Sequence, residues 1–359
     1  MVSENSVLER SAELLVQQVK DAIVSNGALH IQGGDSKGFY GNPVKENVSV
    51  LSMLEHEGVI DYAPEELMIR VKAGTRLNDV VRLLKENNQY LAFEPPDFNN
   101  ESTMGGVVAT GLSGPRRPYT GAVRDFVLGV RLITGAGDVL SFGGQVMKNV
   151  AGYDVSRLVT GAMGTLGVIL DVSLKVLPLP EVEKTVLRKI SVHEFLPLLQ
   201  SLPKNLPLSA AAHEDGLMRV RVSGSRVAVD AALRVLAADE VGNDYWQQIN
   251  TLVGLTDVDV NTLWRISVAP NSVLFLEQAA RIDWAGALRW LKNPELNPRE
   301  RLSGQDGHAT LIRQRGSAAD QEINTFQPLA EPILGIHKRL KSQFDPAGIF
   351  NPGRMYKDI

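Results

Sequence analysis

Three glycine-rich segments hold the residue types that can do chemistry in this chain. The first, IQGGDSKG (residues 31–38), follows a short apolar run and places Gly33 and Gly34 before Asp35, Ser36 and Lys37. Glycine tolerates positive φ, so successive backbone N–H groups can face one concavity and bind an anion such as a pyrophosphate. Asp35 and Ser36 then add side-chain contacts, and Lys37 a charge. A plain strand-ending turn uses the same residues. The second, STMGGVVATGLSGPRRPYTG (residues 102–121), sets Gly105, Gly106, Gly111, Gly114 and Gly121 among the hydroxyls of Ser102, Thr103 and Ser113. So bare a backbone can press against a large flat ligand, and its apolar VVA centre argues for a packed segment over a loose one. The third, GAMGTLGVI (residues 161–169), puts Gly164 and Gly167 ahead of a β-branched run, which suits close backbone approach or a tight turn.

Beside the glycines stand a few titratable candidates. Arg116 and Arg117 are adjacent, and a guanidinium matches a carboxylate bidentately; a phosphate or partner contact suits the pair equally. His308 is a lone histidine in a strand-like run, where packing competes with catalysis as the reading. No G-x-G-x-x-G follows a strand, no P-loop or nucleophile elbow occurs, and the six histidines form no pair at zinc-ligand spacing.

These residues must be positioned by a chain of 359 residues, long enough for two or three domains. It is 44% hydrophobic and 22% charged, as a globular protein with a sizeable core requires. A net charge of −4 speaks against a nucleic-acid partner. The basic run at Lys338, Arg339 and Lys341 reads as a solvated helix face. The absence of cysteine excludes disulfides, thiolate catalysis and cysteine-ligated clusters, and suits a reducing, cytoplasmic compartment. The opening MVSENSVLER lacks the pattern of a signal peptide, and no apolar stretch reaches the roughly 18 residues of a membrane span.

Periodicity predicts a helix over 6–26 stopped by Gly27, a strand over 28–32, a strand over 67–73 and a helix from Leu77 capped by Thr75. Residues 94–121 read as a long irregular stretch. A hairpin is expected over 127–134 and 139–142, and a strand over 168–177. After Pro178 the glycine density falls, and strands and helices alternate: 185–190, 193–202, 208–213, 217–222, 225–237, 263–268 and 308–313. The pattern is that of an α+β unit of the split βαβ kind. A last helix runs from Pro328 to about Phe344, before the tail DPAGIFNPGRMY; no internal repeat is visible.

Taken together, the glycine segments and the tail resemble the FAD-binding domain of the vanillyl-alcohol oxidase / p-cresol methylhydroxylase (PCMH) family. Thr103, Gly105, Gly106 and Ala109 match its T-x-G-G-x-x-A stretch, Gly164 to Ile169 its G-T-L-G-V-[IL] strand start, and Asp345 to Gly353 its closing D-P-x-G-x-F-N-P-G. More closely, EPPDFNNESTMGGVVATGLSGPRRPYTGAVRDFVLG, GGQVMKNVAGYDVSRLVTGAMGTLGV, DWAGALRW, GQDGHAT and FNPGRMY resemble the FAD-binding E-subunit family of glycolate oxidases. The resemblance implies an α+β fold: a PCMH-type FAD-binding domain of two α/β subdomains over 1–180, a split-βαβ cap over 181–325, and a C-terminal segment, 326–359, returning to the FAD domain. It implies non-covalent FAD, held by Gly33, Gly34, Asp35, Ser36, Lys37, Pro95, Ser102, Thr103, Gly105, Gly106, Ala109, Ser113, Gly114, Gly121, Asp125, Gly164, Gly167, Val168, Ile169 and Asn351. The implied partners are a larger FAD-linked subunit and an iron–sulfur subunit, and the implied substrate is glycolate or a related 2-hydroxy acid. Membrane contact would come only through partners. Related 2-hydroxy-acid dehydrogenases hold a divalent metal through two histidines; here His308 stands alone and Arg315 replaces the second, so no metal is expected. Three readings remain: an electron-handling subunit, a self-sufficient hydroxy-acid dehydrogenase using Arg116 or Arg117 and His308, and a non-enzymatic scaffold. The segment from Trp284 to Trp290, with Trp264, reads as core or as a docking surface.

Overall fold

The computed structural model describes residues 9–45, 47–144, 154–314 and 323–359. The expectation placed on Arg315 and the motif residues 145–153 lie outside these. Helix α1 (Arg10–Ser25) forms because Ala12, Leu15, Val16, Val19 and Ala22 recur at helical spacing and are all buried; Asn26, left-handed, ends it one residue before the expected glycine. Strands β1 (Leu29–Gln32) and β2 (Ser49–Ser52) pair in parallel.

A second sheet follows from β3 (Val59–Ala63) and β4 (Met68–Lys72). Helix α2 (Leu77–Glu86) starts without a side-chain cap, because Thr75 Oγ1 is engaged with the backbone of Gly58. The two-residue β5 (Gln89–Tyr90) comes next. The segment 94–121 is not wholly irregular. It contains α3 (Met104–Thr110) and α4 (Arg117–Thr120). Thr103 caps α3, and Met104, Val107 and Val108 are fully buried, so apolar burial outweighs the poor helix propensity of two glycines. Gly105 is required there, since a Cβ would lie 2.7 Å from that of Ala73. Helix α5 (Val123–Phe126) runs into β6 (Val127–Ile133), followed by β7 (Val139–Gly143), α6 (Val155–Val159), β8 (Val168–Lys175) and β9 (Leu177–Pro178). The five-stranded sheet has the order β3-β4-β8-β6-β7, with β8 central.

The rest of the chain builds an eight-stranded antiparallel sheet. Its first half is β10 (Val182–Lys189), α7 (Val192–Ser201), β11 (Leu208–Glu214), β12 (Leu217–Gly224), α8 (Arg226–Leu236) and β13 (Asp239–Val241). This is the expected split βαβ pattern. After α9 (Tyr245–Asn250), the second half is β14 (Thr262–Val268), β15 (Arg281–Asp283), β16 (Leu288–Lys292), α10 (Pro298–Arg301) and β17 (Gly307–Gln314). The sheet order is β13-β10-β12-β11-β15-β16-β14-β17. Each half therefore has its fourth, first, third and second strands in that sequence, joined at β11 and β15. The repetition is topological. It escapes the sequence because turns replace the first helix of the second half and the single turn of α10 replaces the other.

Helix α11 (Glu331–Phe344) and the tail return to the first half of the molecule: Ile349 and Phe350 join the core of α1, α2 and β8. Lys341 is not on a solvated face. It is buried, and its Nζ donates to the carbonyls of Thr165 and Phe350 and to Asp345. Trp264, Trp284 and Trp290 are at most 6% exposed, so that segment is core and not a docking surface.

Candidate functional site

Two clefts meet at Thr110, the last residue of α3. The first is built from β1, the turn after it, α3, the Met163-Gly164 turn and the tail. Gly33, Gly34, Asp35, Ser36, Lys37, Thr103, Gly105, Gly106, Ala109, Gly164, Gly167, Ile169 and Asn351 line it, so three distant glycine segments and the tail converge. Not every glycine is there for a ligand. A side chain on Gly33 would strike Thr103, and one on Gly34 would fall on the carbonyl of Glu101. These two let the loops approach each other. Gly106 differs: its Cβ would have only the Thr103 hydroxyl, at 3.3 Å, as a neighbour, and any further atoms would enter the cleft.

The charge on the walls suits an anion. Lys37 is buried, and among the described residues its Nζ hydrogen-bonds only hydroxyls, Ser102 at 2.5 Å and Ser36 at 3.4 Å, with the Phe98 ring 5.8 Å away. Burial pushes its ammonium down to about 8, opposed only by Asp97. Among the described residues His30 Nδ1 is buried without a hydrogen-bond partner, and burial followed by the charge of Arg354 lowers that imidazole's pKa. Asn351 ties the tail in: its Oδ1 accepts from Ile31 N–H at 2.8 Å, and its Nδ2 donates to the Met163 carbonyl at 2.6 Å. An orphaned buried nitrogen, a buried ammonium without a carboxylate and a Cβ-free wall at Gly106 fit an elongated diphosphate cofactor such as FAD.

Seven sequence-derived positions lie elsewhere. Ser102 sits behind the wall and holds Lys37 and Ser36. Pro95 and Val168 are buried. Ser113 Oγ accepts from Val123 N–H, and Asp125 caps Ala122. Gly114 accepts from Trp284 Nε1 through its carbonyl, and Gly121 takes φ 106° at the end of α4. Conversely, sequence reasoning missed His30, Gln32, Met53, Ala73, Met163 and Arg354. Arg354 was within reach, three residues after Asn351 in the same tail motif. Nothing local marked Met53 or Ala73.

The second cleft, about 270 Å³, is walled by Tyr40, Arg117, Arg124, Arg265, Ser267, Trp284 and His308. Arg117 and Arg265 stack on the Trp284 ring, 4.2 and 4.7 Å from its centroid. Trp284 and Ala285 hold φ of 53° and 52°, a backbone strained to present that indole. Among the described residues neither arginine forms a salt bridge; burial, and for Arg117 the charge of Arg265, lowers their pKa values. His308 opens onto the same cleft, and the enclosing walls, then Arg265 and Arg117, hold its imidazole below the ordinary histidine range. It is thus a neutral imidazole beside two arginines that form no salt bridge among the described residues. Among the described residues no cluster suits a metal ion.

Arg116 does not belong with them. Its guanidinium is buried against Glu94, Glu183 and Ser223, and Arg221 joins Glu94 at 2.7 Å, so this candidate is a latch between the glycine loop and the eight-stranded sheet. The neighbouring residue in the chain points the other way because α4 begins between them.

Residues 6–143 match the family model described as FAD binding domain. The glycolate oxidase subunit GlcE of Escherichia coli (strain K12) is 43% identical over 352 residues, covering 97% of this chain and 98% of that protein. The glycolate oxidase subunit GlcD of Bacillus subtilis (strain 168) is 34% identical over 131 residues, 36% of this chain and 27% of that one. Among solved structures, an alkyldihydroxyacetonephosphate synthase superposes with a TM-score of 0.67 at 16% identity, covering 95% of this chain and 74% of that chain. At that identity the likeness speaks for the fold.

Proposed function

This chain belongs to the family of the FAD-binding glycolate oxidase subunit GlcE, and on that premise we propose that it is the electron-transferring FAD subunit of a complex that oxidises glycolate to glyoxylate. A larger flavin subunit and an iron–sulfur subunit complete that complex. The observation that carries the reading is Thr110, which lines both the glycine-rich cleft and the arginine cleft. FAD, held without a covalent bond, would be bound by the residues of the first cleft, and when bound would supply a two-electron acceptor. No helix among the described residues is long and apolar enough to cross a membrane.

In the first cleft Lys37 faces the diphosphate, with Ser36 and Ser102 orienting its ammonium and Asp97 as the nearby acid. This gives FAD affinity a pH dependence of definite sign. Below pH about 8 Lys37 is protonated with or without FAD. Above it the free protein loses the proton that the diphosphate needs, so affinity falls by about tenfold per pH unit. Fluorescence titration of FAD between pH 7 and 10 measures this, and Lys37→Met abolishes the slope while weakening binding at pH 7.

A second reading has its own support. Arg117 and Arg265 are cations without salt bridges among the described residues, and His308 lines the same cleft with its pKa lowered. Arg117 can clamp the carboxylate of a 2-hydroxy acid while His308 takes its hydroxyl proton. The chain would then oxidise substrate by itself. Mixing the FAD-loaded chain anaerobically with glycolate or D-lactate separates the two. The electron-transfer reading expects the flavin to bleach only once partner subunits are added. Rapid bleaching of the chain alone, slowed about 100-fold or more by Arg117→Gln, establishes the second reading instead.

A further inference from the structure

The arginine cleft carries more positive charge than one monocarboxylate neutralises. Arg265 and Ser267 share one face of β14, and His308 stands opposite Ser267 on β17. Arg117 of α4 and Arg124 of α5 line the same cleft. Among the described residues no Asp or Glu lines it, and none of the three guanidiniums forms a salt bridge or donates a hydrogen bond. Two acids lie close, and both are engaged. Asp125 accepts from Ala122 N–H at 2.9 Å. Asp283 accepts from Trp284 N–H at 2.7 Å, and burial pushes it up to about 7. Burial is also the first cause that lowers the pKa values of Arg117 and Arg265. The cost of holding these cations out of water is offset when an anion fills the cleft.

We propose that this cleft binds a small dicarboxylate in preference to a monocarboxylate, one carboxylate at Arg117 and Arg265 and the other at Arg124. The charges are spread to suit that shape. Arg117 and Arg265 converge on Trp284, 4.2 and 4.7 Å from its ring centroid, and guanidinium geometry matches a carboxylate there. Arg124 stands on a different helix and is exposed, yet its charge contributes to the lowered pKa of Arg117. Tyr40 and Ser267 line the cleft with hydroxyls that have no hydrogen-bond partner among the described residues. The neutral imidazole of His308 adds one ring N–H. A water molecule takes about 30 Å³, so the cleft, about 270 Å³, has room for a few carbons between two carboxylates. A compact dianion such as phosphate needs the positive charge gathered at one point. The inference rests on the arginine cleft being an anion site, as in the second reading above, and not on which redox role the chain plays. In an electron-transferring subunit such a site is regulatory. In a self-sufficient dehydrogenase it means that the substrate carries a second carboxylate.

The test is calorimetric titration of the purified full chain with malonate and with propionate, the monocarboxylate of matched length, at constant ionic strength. Malonate is expected to bind at one site, about tenfold or more tighter than propionate. Arg124→Gln, at an exposed position that spares the fold, removes that advantage and leaves propionate affinity within about twofold. Arg124→Lys keeps part of the advantage, because the charge stays. Absence of a saturable site, equal affinity for the two acids, an advantage that survives Arg124→Gln, or inorganic phosphate binding as tightly as malonate overturns the proposal. Rapid bleaching of the flavin by glycolate in a chain that binds malonate no better than propionate would keep the second reading and sink this proposal. Malonate binding with the expected preference in a chain that carries no FAD would uphold the site and sink the FAD reading, so the two fail separately.

Discussion

Deleting residues 345–359 strips the protein of FAD and destabilises it by several kcal/mol. Phe350 and Ile349 are 0% and 1% exposed within the core of α1, α2 and β8. Loss of one such aromatic side chain alone costs about 3–5 kcal/mol. The carboxylate of Asp345 accepts from Ile349 N–H at 3.1 Å, Phe350 N–H at 2.8 Å and Lys341 at 2.7 Å, which fixes the turn. Phe350 bridges Leu29 of β1 in parallel, and Asn351 then spans from Ile31 to Met163 across the first cleft. The tail is therefore one wall of the first cleft. Flavin absorbance after gel filtration and a thermal melt measure the two effects. Asn351→Ala separates them: it removes two hydrogen bonds at the wall, costs roughly 1–3 kcal/mol, and still lowers FAD affinity. A truncated chain that keeps a full flavin complement would reduce the tail to a mere terminus.

The second large effect is the loss of FAD in Gly106→Leu, below a tenth of the normal content, from a protein that still melts cooperatively. Gly106 is in the first turn of α3, and its φ is not left-handed, so leucine fits the backbone. The new side chain has nowhere to go but the cleft. Gly34→Val looks like the same experiment at the other end of the cofactor, but it is not. Its Cβ would land on the Glu101 carbonyl, so that variant loses the loop packing itself and unfolds locally. Near-normal flavin in Gly106→Leu would mean that α3 does not face the cofactor.

Local physics explains why much of this was legible. Helix α1, strand β8, the β6–β7 hairpin and helix α11 each follow from periodic apolar residues, because burying one face decides a long element. The glycine segments were legible as a set, since backbone needing close approach excludes Cβ wherever it occurs. Residues 104–110 were misread as irregular because glycine is a poor helix former, and only contact with β8 and Ala73 tips that balance. Lys341 was misread as solvated because the three acceptors that compensate its burial come from residues 165, 345 and 350. The two arginines make the same point most sharply. Arg116 and Arg117 are adjacent and chemically identical, and the chain alone offers no way to rank them. Strand β10 brings Glu183 and the preceding loop brings Glu94 to the first; Trp284 and Arg265 await the second from a sheet more than a hundred residues away. Sequence by itself determined which residues must avoid a side chain and which faces must be buried, since those are properties of each residue and its near neighbours. Only tertiary structure decided which charges find partners and which are left facing a cleft, because electrostatic compensation depends on groups that distant segments bring together.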